Sequence, residues 1–116
     1  SKDKSIEVKG RDFQSGLPKI INVAEYAISE AIQKPLKAIL DGVKEVLSQT
    51  PPELASDIVD RGVVLSGGTA ILKNIDRFFT HNINVAAFVA EDPLYCVIRG
   101  VGMAIENLDS YKEAIR

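Results

Sequence analysis

Two adjacent glycines mark the one stretch of this sequence whose residues could hold a ligand. In Val63-Val64-Leu65-Ser66-Gly67-Gly68-Thr69-Ala70, an apolar run that reads as a buried strand delivers the chain to Gly67 and Gly68, which open a helix. Missing β-carbons let a ligand lie against the backbone, and the unpaired N–H groups of a helix start attract an anion. Strand ends of an open α/β sheet are where such clefts form. The same Ser-Gly-Gly turn also serves as a plain connection from strand to helix, and both readings stand. It is not a P-loop, because no Gly-Lys-Ser or Gly-Lys-Thr follows at the needed spacing, and it lacks the third glycine of the dinucleotide fingerprint. Gly100-Val101-Gly102 imitates part of that fingerprint but falls within a helical stripe, where packing explains it.

Other residue types with chemistry find no company. His81 is the only histidine and reads as part of a polar turn, so a metal site or a triad lacks partners. Cys96 falls in the last helix and reads as a buried structural thiol. Asp57, Asp60, Glu91 and Asp92 are explained as solvated helix ends and caps better than as acid–base pairs. No catalytic constellation emerges.

The elements that must position the glycine turn follow from periodicity. Ser5-Ile6-Glu7-Val8-Lys9 alternates polar and apolar, and Lys19-Ile20-Ile21-Asn22-Val23 is β-branched, so the two predict a hairpin closed by the Gln14–Pro18 loop. A lone hairpin is marginal in water and needs a neighbour. From Ala24 to Ser48 the period is helical, with Ile28, Ile32, Leu36, Ile39, Val43, Val46 and Leu47 as the expected inner face. Pro35 predicts a kink or a join of two helices, and Thr50-Pro51-Pro52 ends the run. A short helix over Glu53–Asp60 closes at Arg61-Gly62, with glycine suited to a left-handed cap. The strand at Val63 follows, then a helix from about Ala70 to Thr80 and a strand over Asn84–Val89. In the last helix, Asp92 serves as cap and Pro93 as first residue, and Leu94, Val97, Ile98, Val101, Ile105 and Leu108 form its expected buried stripe. Gly100 and Gly102 would let that helix approach a neighbour closely. This order is an α/β pattern with too few strands for a full sheet, so at least one further strand is expected upstream.

Composition bounds the rest. The chain has 116 residues, enough for one domain, with 46% hydrophobic and 26% charged residues and a net charge of −2. That balance leaves no basic footprint for nucleic acid or anionic lipid. The longest apolar stretches fall far below the roughly 20 residues of a bilayer span. The charged opening Ser1-Lys2-Asp3-Lys4 argues against a signal peptide, and the single cysteine agrees with a reducing compartment, so cytoplasm is the expectation. A first residue other than Met leaves open that a longer polypeptide was cut.

The run from Thr50 through Gly68, Thr-Pro-Pro-Glu-Leu-Ala-Ser-Asp-Ile-Val-Asp-Arg-Gly-Val-Val-Leu-Ser-Gly-Gly, resembles the MreB family of bacterial actin homologues. Val8-Lys9-Gly10-Arg11-Asp12 and Ser15-Gly16-Leu17-Pro18-Lys19 are similar to that family's hairpin. Glu91-Asp92-Pro93-Leu94 and Gly100-Val101-Gly102 resemble its closing helix. The resemblance covers nearly the whole chain, in order, and corresponds to about the last third of the family's sequence. It implies the actin and Hsp70-like ATPase fold, in which two lobes close on ATP and magnesium. Residues 1–31 would be the end of the small subdomain of lobe two, and residues 32–116 its ribonuclease-H-like large subdomain. Ser66, Gly67, Gly68 and Thr69 match the family's adenosine motif, with Thr69 standing where the family usually has a third glycine. The family polymerises into membrane-associated filaments that organise wall synthesis and maintain rod shape. Its phosphate loops, magnesium-holding Asp and membrane-inserting elements lie in other parts of the fold, so no hydrolysis is expected from this chain alone. Implied partners are neighbouring subunits and a membrane adaptor such as RodZ.

Three functions are weighed on this basis: the wall of a nucleotide cleft, a docking module that touches no nucleotide, and a small enzyme with an anion site. Exposed edges and part of a core also predict self-association of the chain.

Overall fold

The computed structural model describes residues 4–115; Ser1, Lys2 and Asp3, on which the signal-peptide argument partly rests, and Arg116 lie outside the described residues. The chain divides into two compact units, Ser1–Val43 and Lys44–Arg116.

In the first unit, strands β1 (Ser5–Arg11) and β2 (Pro18–Ala24) pair antiparallel, with Ser5 opposite Ala24 and Arg11 opposite Pro18. Each strand is longer than its alternating segment because the ladder continues to the turn. There Asp12 gathers the loop. Its carboxylate accepts hydrogen bonds from the amides of Gln14 (3.0 Å) and Ser15 (2.8 Å), from the Ser15 hydroxyl (3.0 Å) and from Lys19 Nζ (2.9 Å). Gly16 sits at φ 71°, the left-handed backbone that closes such a loop. Phe13, beside Asp12, is wholly exposed.

Helix α1 (Glu25–Gln49) carries the chain from the first unit into the second. It stays helical through Pro35, so the predicted join is absent. One missing amide removes a single bond from a helix of 25 residues. The expected inner face also shifts. Ile32, Leu36, Leu40, Val43 and Leu47 are the shielded positions, with Leu40 alone fully buried at 5% exposure. Ile28, Ile39 and Val46, expected inside, are exposed. Ile39 and Leu40 are neighbours about 100° apart on the helix, and sequence spacing alone admits either.

The second unit orders α2 (Pro52–Arg61), β3 (Val63–Leu65), α3 (Ile75–Ile83), β4 (Ala87–Val89), α4 (Cys96–Glu106) and α5 (Leu108–Tyr111). Strands β3 and β4 run parallel, Val63 beside Ala87 and Leu65 beside Val89. Its fully buried hydrophobic residues, among those described, are Ala70, Ile75 and Phe79. Phe78 meets Phe79 edge to face at 5.3 Å. The Thr80 hydroxyl receives the Ala87 amide at 2.9 Å and so fixes α3 to β4.

Several expectations are corrected here. Strand β3 is half-buried, with Val64 exposed, and among the described residues β4 is the one strand beside it. The helix expected from Ala70 begins only at Ile75, since Asn74 adopts a left-handed backbone (φ 65°) and breaks the run. At the other end α3 extends to Ile83 and takes in His81, so the strand expected from Asn84 starts at Ala87. Asp92 does not cap a helix through its side chain. It is left-handed at φ 46°, and its carboxylate pairs instead with Arg99 at 2.7 Å. A short 3-10 turn over Pro93–Tyr95 precedes α4. The stripe Leu94, Val97, Ile98, Val101, Ile105 and Leu108 is exposed, Val97 at 75%. Cys96 is half-buried, and its thiol lies 3.7 Å from the carbonyls of Glu91 and Asp92. Nothing within 4 Å faces Gly100 or Gly102, so neither serves a close approach among the described residues.

Candidate functional site

The site is built on β3. Gly62 begins it at φ 81° and ψ −175°, a conformation of the glycine-only region rather than the left-handed cap expected from sequence. A β-carbon there would lie 2.7 Å from the Ala86 carbonyl oxygen, so only glycine lets β3 start this close to β4. The Val63 amide then donates to that same oxygen at 2.7 Å, and the Ala90 amide donates to Leu65 at 2.9 Å. The short parallel ladder thus aims the chain at Ser66.

Gly67 follows at φ 90° and ψ 176°, again a backbone for glycine. A 3-10 turn over Gly68–Ile71 comes next, anchored by buried Ala70, whose amide donates to Gly67 at 3.2 Å. One expectation is overturned at this point. The Gly67 amide is not available to an anion, because it donates to the Pro93 carbonyl at 2.8 Å. The turn that opens the site is Gly68-Thr69, not a regular α-helical start. A helix of four residues has little macrodipole, so any attraction here comes from individual amides and side chains.

Beside the turn lies an open cleft of about 540 Å³, lined by Gly68, Thr69, Ile71, Leu72 and Lys73. Its size suits a small organic ligand. Of the four residues singled out by sequence, Gly68 and Thr69 line this cleft, whereas Ser66 and Gly67 stand behind it as backbone. Ile71, Leu72 and Lys73 were not anticipated, because a regular helix from Ala70 would have turned them onto different faces. The 3-10 turn and Asn74 instead hold all three along one wall. The signal available in the sequence was Lys73, the one cation close after the glycines.

The arrangement pairs an apolar wall (Ile71 and Leu72) with a backbone free of β-carbons and one cation. That set can cradle a flat, partly apolar group next to polar oxygens. The cleft lining holds no Asp, Glu, His or Cys side chain. Among the described residues no three His, Cys, Asp or Glu side chains gather to hold a metal ion.

A profile of the family described as MreB/Mbl protein matches residues 1–113. The cell shape-determining protein Mbl of Bacillus cereus is 41% identical over 117 residues, covering 100% of this chain and 35% of that relative. The cell shape-determining protein MreB of Escherichia coli K12 is 46% identical over 108 residues, covering 93% of this chain and 31% of the relative. Among solved structures, MreB5 of Spiroplasma citri bound to ADP superposes with a TM-score of 0.82 at 35% identity over 95% of this chain. The same protein bound to AMPPNP gives 0.81 at 34% identity over 97%. The chain spans about a third of the length of these proteins.

Proposed function

The chain belongs to the MreB/Mbl family of bacterial cell shape-determining proteins, carries part of the actin-like ATPase fold, and, we propose, forms the adenosine wall of an ATP-binding cleft in a filament subunit. One observation carries this reading: the Gly67-Gly68 turn opens on a cleft with an apolar wall and one lysine, and solved relatives of the same fold hold ADP or AMPPNP. Gly68 and Thr69 lie against the nucleotide, Ile71 and Leu72 offer apolar contact to its base, and Ser66 and Gly67 shape the turn. The chain binds and orients. Charge on a transferring phosphoryl group has to be stabilised by preorganised donors and a metal ion, which this segment does not provide, so it does not hydrolyse ATP alone. In the intact molecule residues 1–31 end the small subdomain of lobe two and residues 32–116 form its large subdomain. That molecule organises wall synthesis as a cytoplasmic filament associated with the membrane, docking neighbouring subunits and a RodZ-like adaptor. No helix described here is long and apolar enough to cross a membrane.

Titration of ATP into isotope-labelled chain tests the cleft. Amide shifts should centre on Gly68, Thr69, Ile71 and Lys73, and Ile71→Glu, at an exposed position, should abolish them while leaving the rest of the spectrum in place. Shifts spread evenly over the chain, or unaffected by Ile71→Glu and by Gly68→Val, would favour the second reading of a docking module. That reading is supported by the exposed apolar residues of α4.

A further inference from the structure

The loop that backs the glycine turn is held by an ion pair outside the cleft lining. Strand β4 ends at Val89, and the Ala90 amide closes the ladder on Leu65 at 2.9 Å. Past the ladder, β3 continues into Ser66-Gly67-Gly68 and β4 into Glu91-Asp92-Pro93. The two loops meet again at once. The Gly67 amide donates to the Pro93 carbonyl at 2.8 Å, and a β-carbon on Gly68 would touch Leu94 Cδ2 at 3.6 Å. Where Pro93 and Leu94 lie therefore sets where Gly68 lies, and Gly68 lines the cleft.

Pro93 and Leu94 are placed in turn by Asp92. Its φ of 46° and ψ of 61° are left-handed, a backbone that Asp tolerates but rarely adopts unaided. Its carbonyl accepts the Tyr95 amide at 2.9 Å, which closes the 3-10 turn over Pro93–Tyr95. The Cys96 thiol adds one long contact to that carbonyl, at 3.7 Å. The Asp92 carboxylate caps no backbone amide of the turn. It accepts instead from Arg99 Nη2 at 2.7 Å, in the first turn of α4.

We propose that Arg99 is a positioning residue for the glycine turn. By holding the Asp92 carboxylate it keeps Pro93 on the Gly67 amide and Gly68 at the face of the cleft. Arg99 does not itself line that cleft. Its side chain is 58% exposed and that of Asp92 54%, so the pair adds little to global stability. A weak restraint still selects among loop arrangements that differ little in energy. Affinity then scales with the fraction of time the loop spends in the competent arrangement. The hydrogen bond is single, Nη2 to Oδ2, so charge matters here more than the guanidinium fork. The consequence for nucleotide rests on the cleft being the adenosine wall.

NMR of the full 116-residue chain tests this. The scalar coupling between the Gly67 nitrogen and the Pro93 carbonyl carbon exists only across their hydrogen bond, and so reads the loop directly. The same coupling from Val63 to Ala86 reads the adjoining ladder as a control. Arg99→Gln should weaken the first coupling and leave the second unchanged. Asp92→Asn, which keeps a residue tolerant of the left-handed backbone, should do the same. Arg99→Lys should restore the coupling, because the charge returns. The double variant Arg99→Gln/Asp92→Asn should lose no more than either single variant, since both remove one interaction. ATP binding, followed by the shifts of Gly68 and Thr69, should weaken about threefold in Arg99→Gln. A Gly67 coupling indifferent to Arg99→Gln overturns the proposal. So do an equal loss at Val63, losses that add in the double variant, or ATP affinity unchanged beside a weakened coupling. An unaltered chain that bound no ATP would count against the nucleotide reading alone, and the couplings would still decide the role of Arg99.

Discussion

A single carboxylate sets the conformation of the hairpin turn. Backbone donation from Ser15, then Lys19 and the Ser15 hydroxyl, stabilise the charged form of Asp12 and lower its pKa from 3.8 to about 2. A carboxyl with a depressed folded pKa adds stability that is complete above its unfolded value. That stability is lost as pH falls through the folded value. The turn should therefore keep its geometry from neutral pH down past pH 3.8 and loosen only around pH 2. Carbon-detected NMR of the Asp12 carboxyl checks this, and a midpoint near 3.8 would show that the four hydrogen bonds do not persist in solution. Gly62 and Gly67 work differently, through backbone alone. Each occupies a positive φ, but only Gly62 is also closed in by a neighbouring carbonyl, whereas nothing lies within 4 Å of the β-carbon position at Gly67. At Gly67 the positive φ alone calls for glycine, since a β-carbon there would meet nothing.

Among the elements, α1 offers the clearest measurement. Leu40 is 5% exposed and its neighbour Ile39 is 48% exposed. Leu40→Ala should lower unfolding free energy by about 2–5 kcal/mol, and Ile39→Ala by under about 1 kcal/mol. Chemical denaturation of both variants decides it, and equal losses would mean that the inner face was assigned wrongly. The pair also marks what was legible. Element types were readable nearly throughout, because the switch from period two at β1 to period near four in α1 and the turn at Thr50-Pro51-Pro52 are local signals. The inner face of α1 was readable only to within one position, since Ile39 and Leu40 are both apolar and spacing does not separate them. The start of α3 was missed because Asn74, a residue that tolerates the left-handed backbone, interrupts an otherwise helical spacing. The stripe of α4 misled for another reason: its apolar residues ask for partners that this chain does not supply. At the glycine turn, the sequence pointed to Gly68 and Thr69, which line the open cleft, but not to Ile71, Leu72 and Lys73 beside them.

On the scale of the whole chain, apolar exposure dominates. Only Leu40, Ala70, Ile75 and Phe79 are fully buried hydrophobic residues among those described, while Val97, Ile98, Met103 and Ile105 of α4 stand open. Contiguous apolar surface of this kind marks a contact site or an association hazard. The native chain should accordingly brighten an apolar dye such as anilinonaphthalene sulfonate. Val97→Ser with Ile98→Ser should reduce that signal at little expense in thermal stability, because both side chains face solvent. Dye emission equal to that of a fully packed domain would contradict the exposure seen here. The hydrogen bond from Gly67 to Pro93 joins two loops far apart in sequence, one beneath the cleft and one at the root of α4. A displacement of the glycine turn would therefore be passed through that bond to Pro93, just ahead of α4. The Gly67 amide, slow to exchange its proton while that bond holds, becomes a built-in gauge of whether the cleft and the helix move as one.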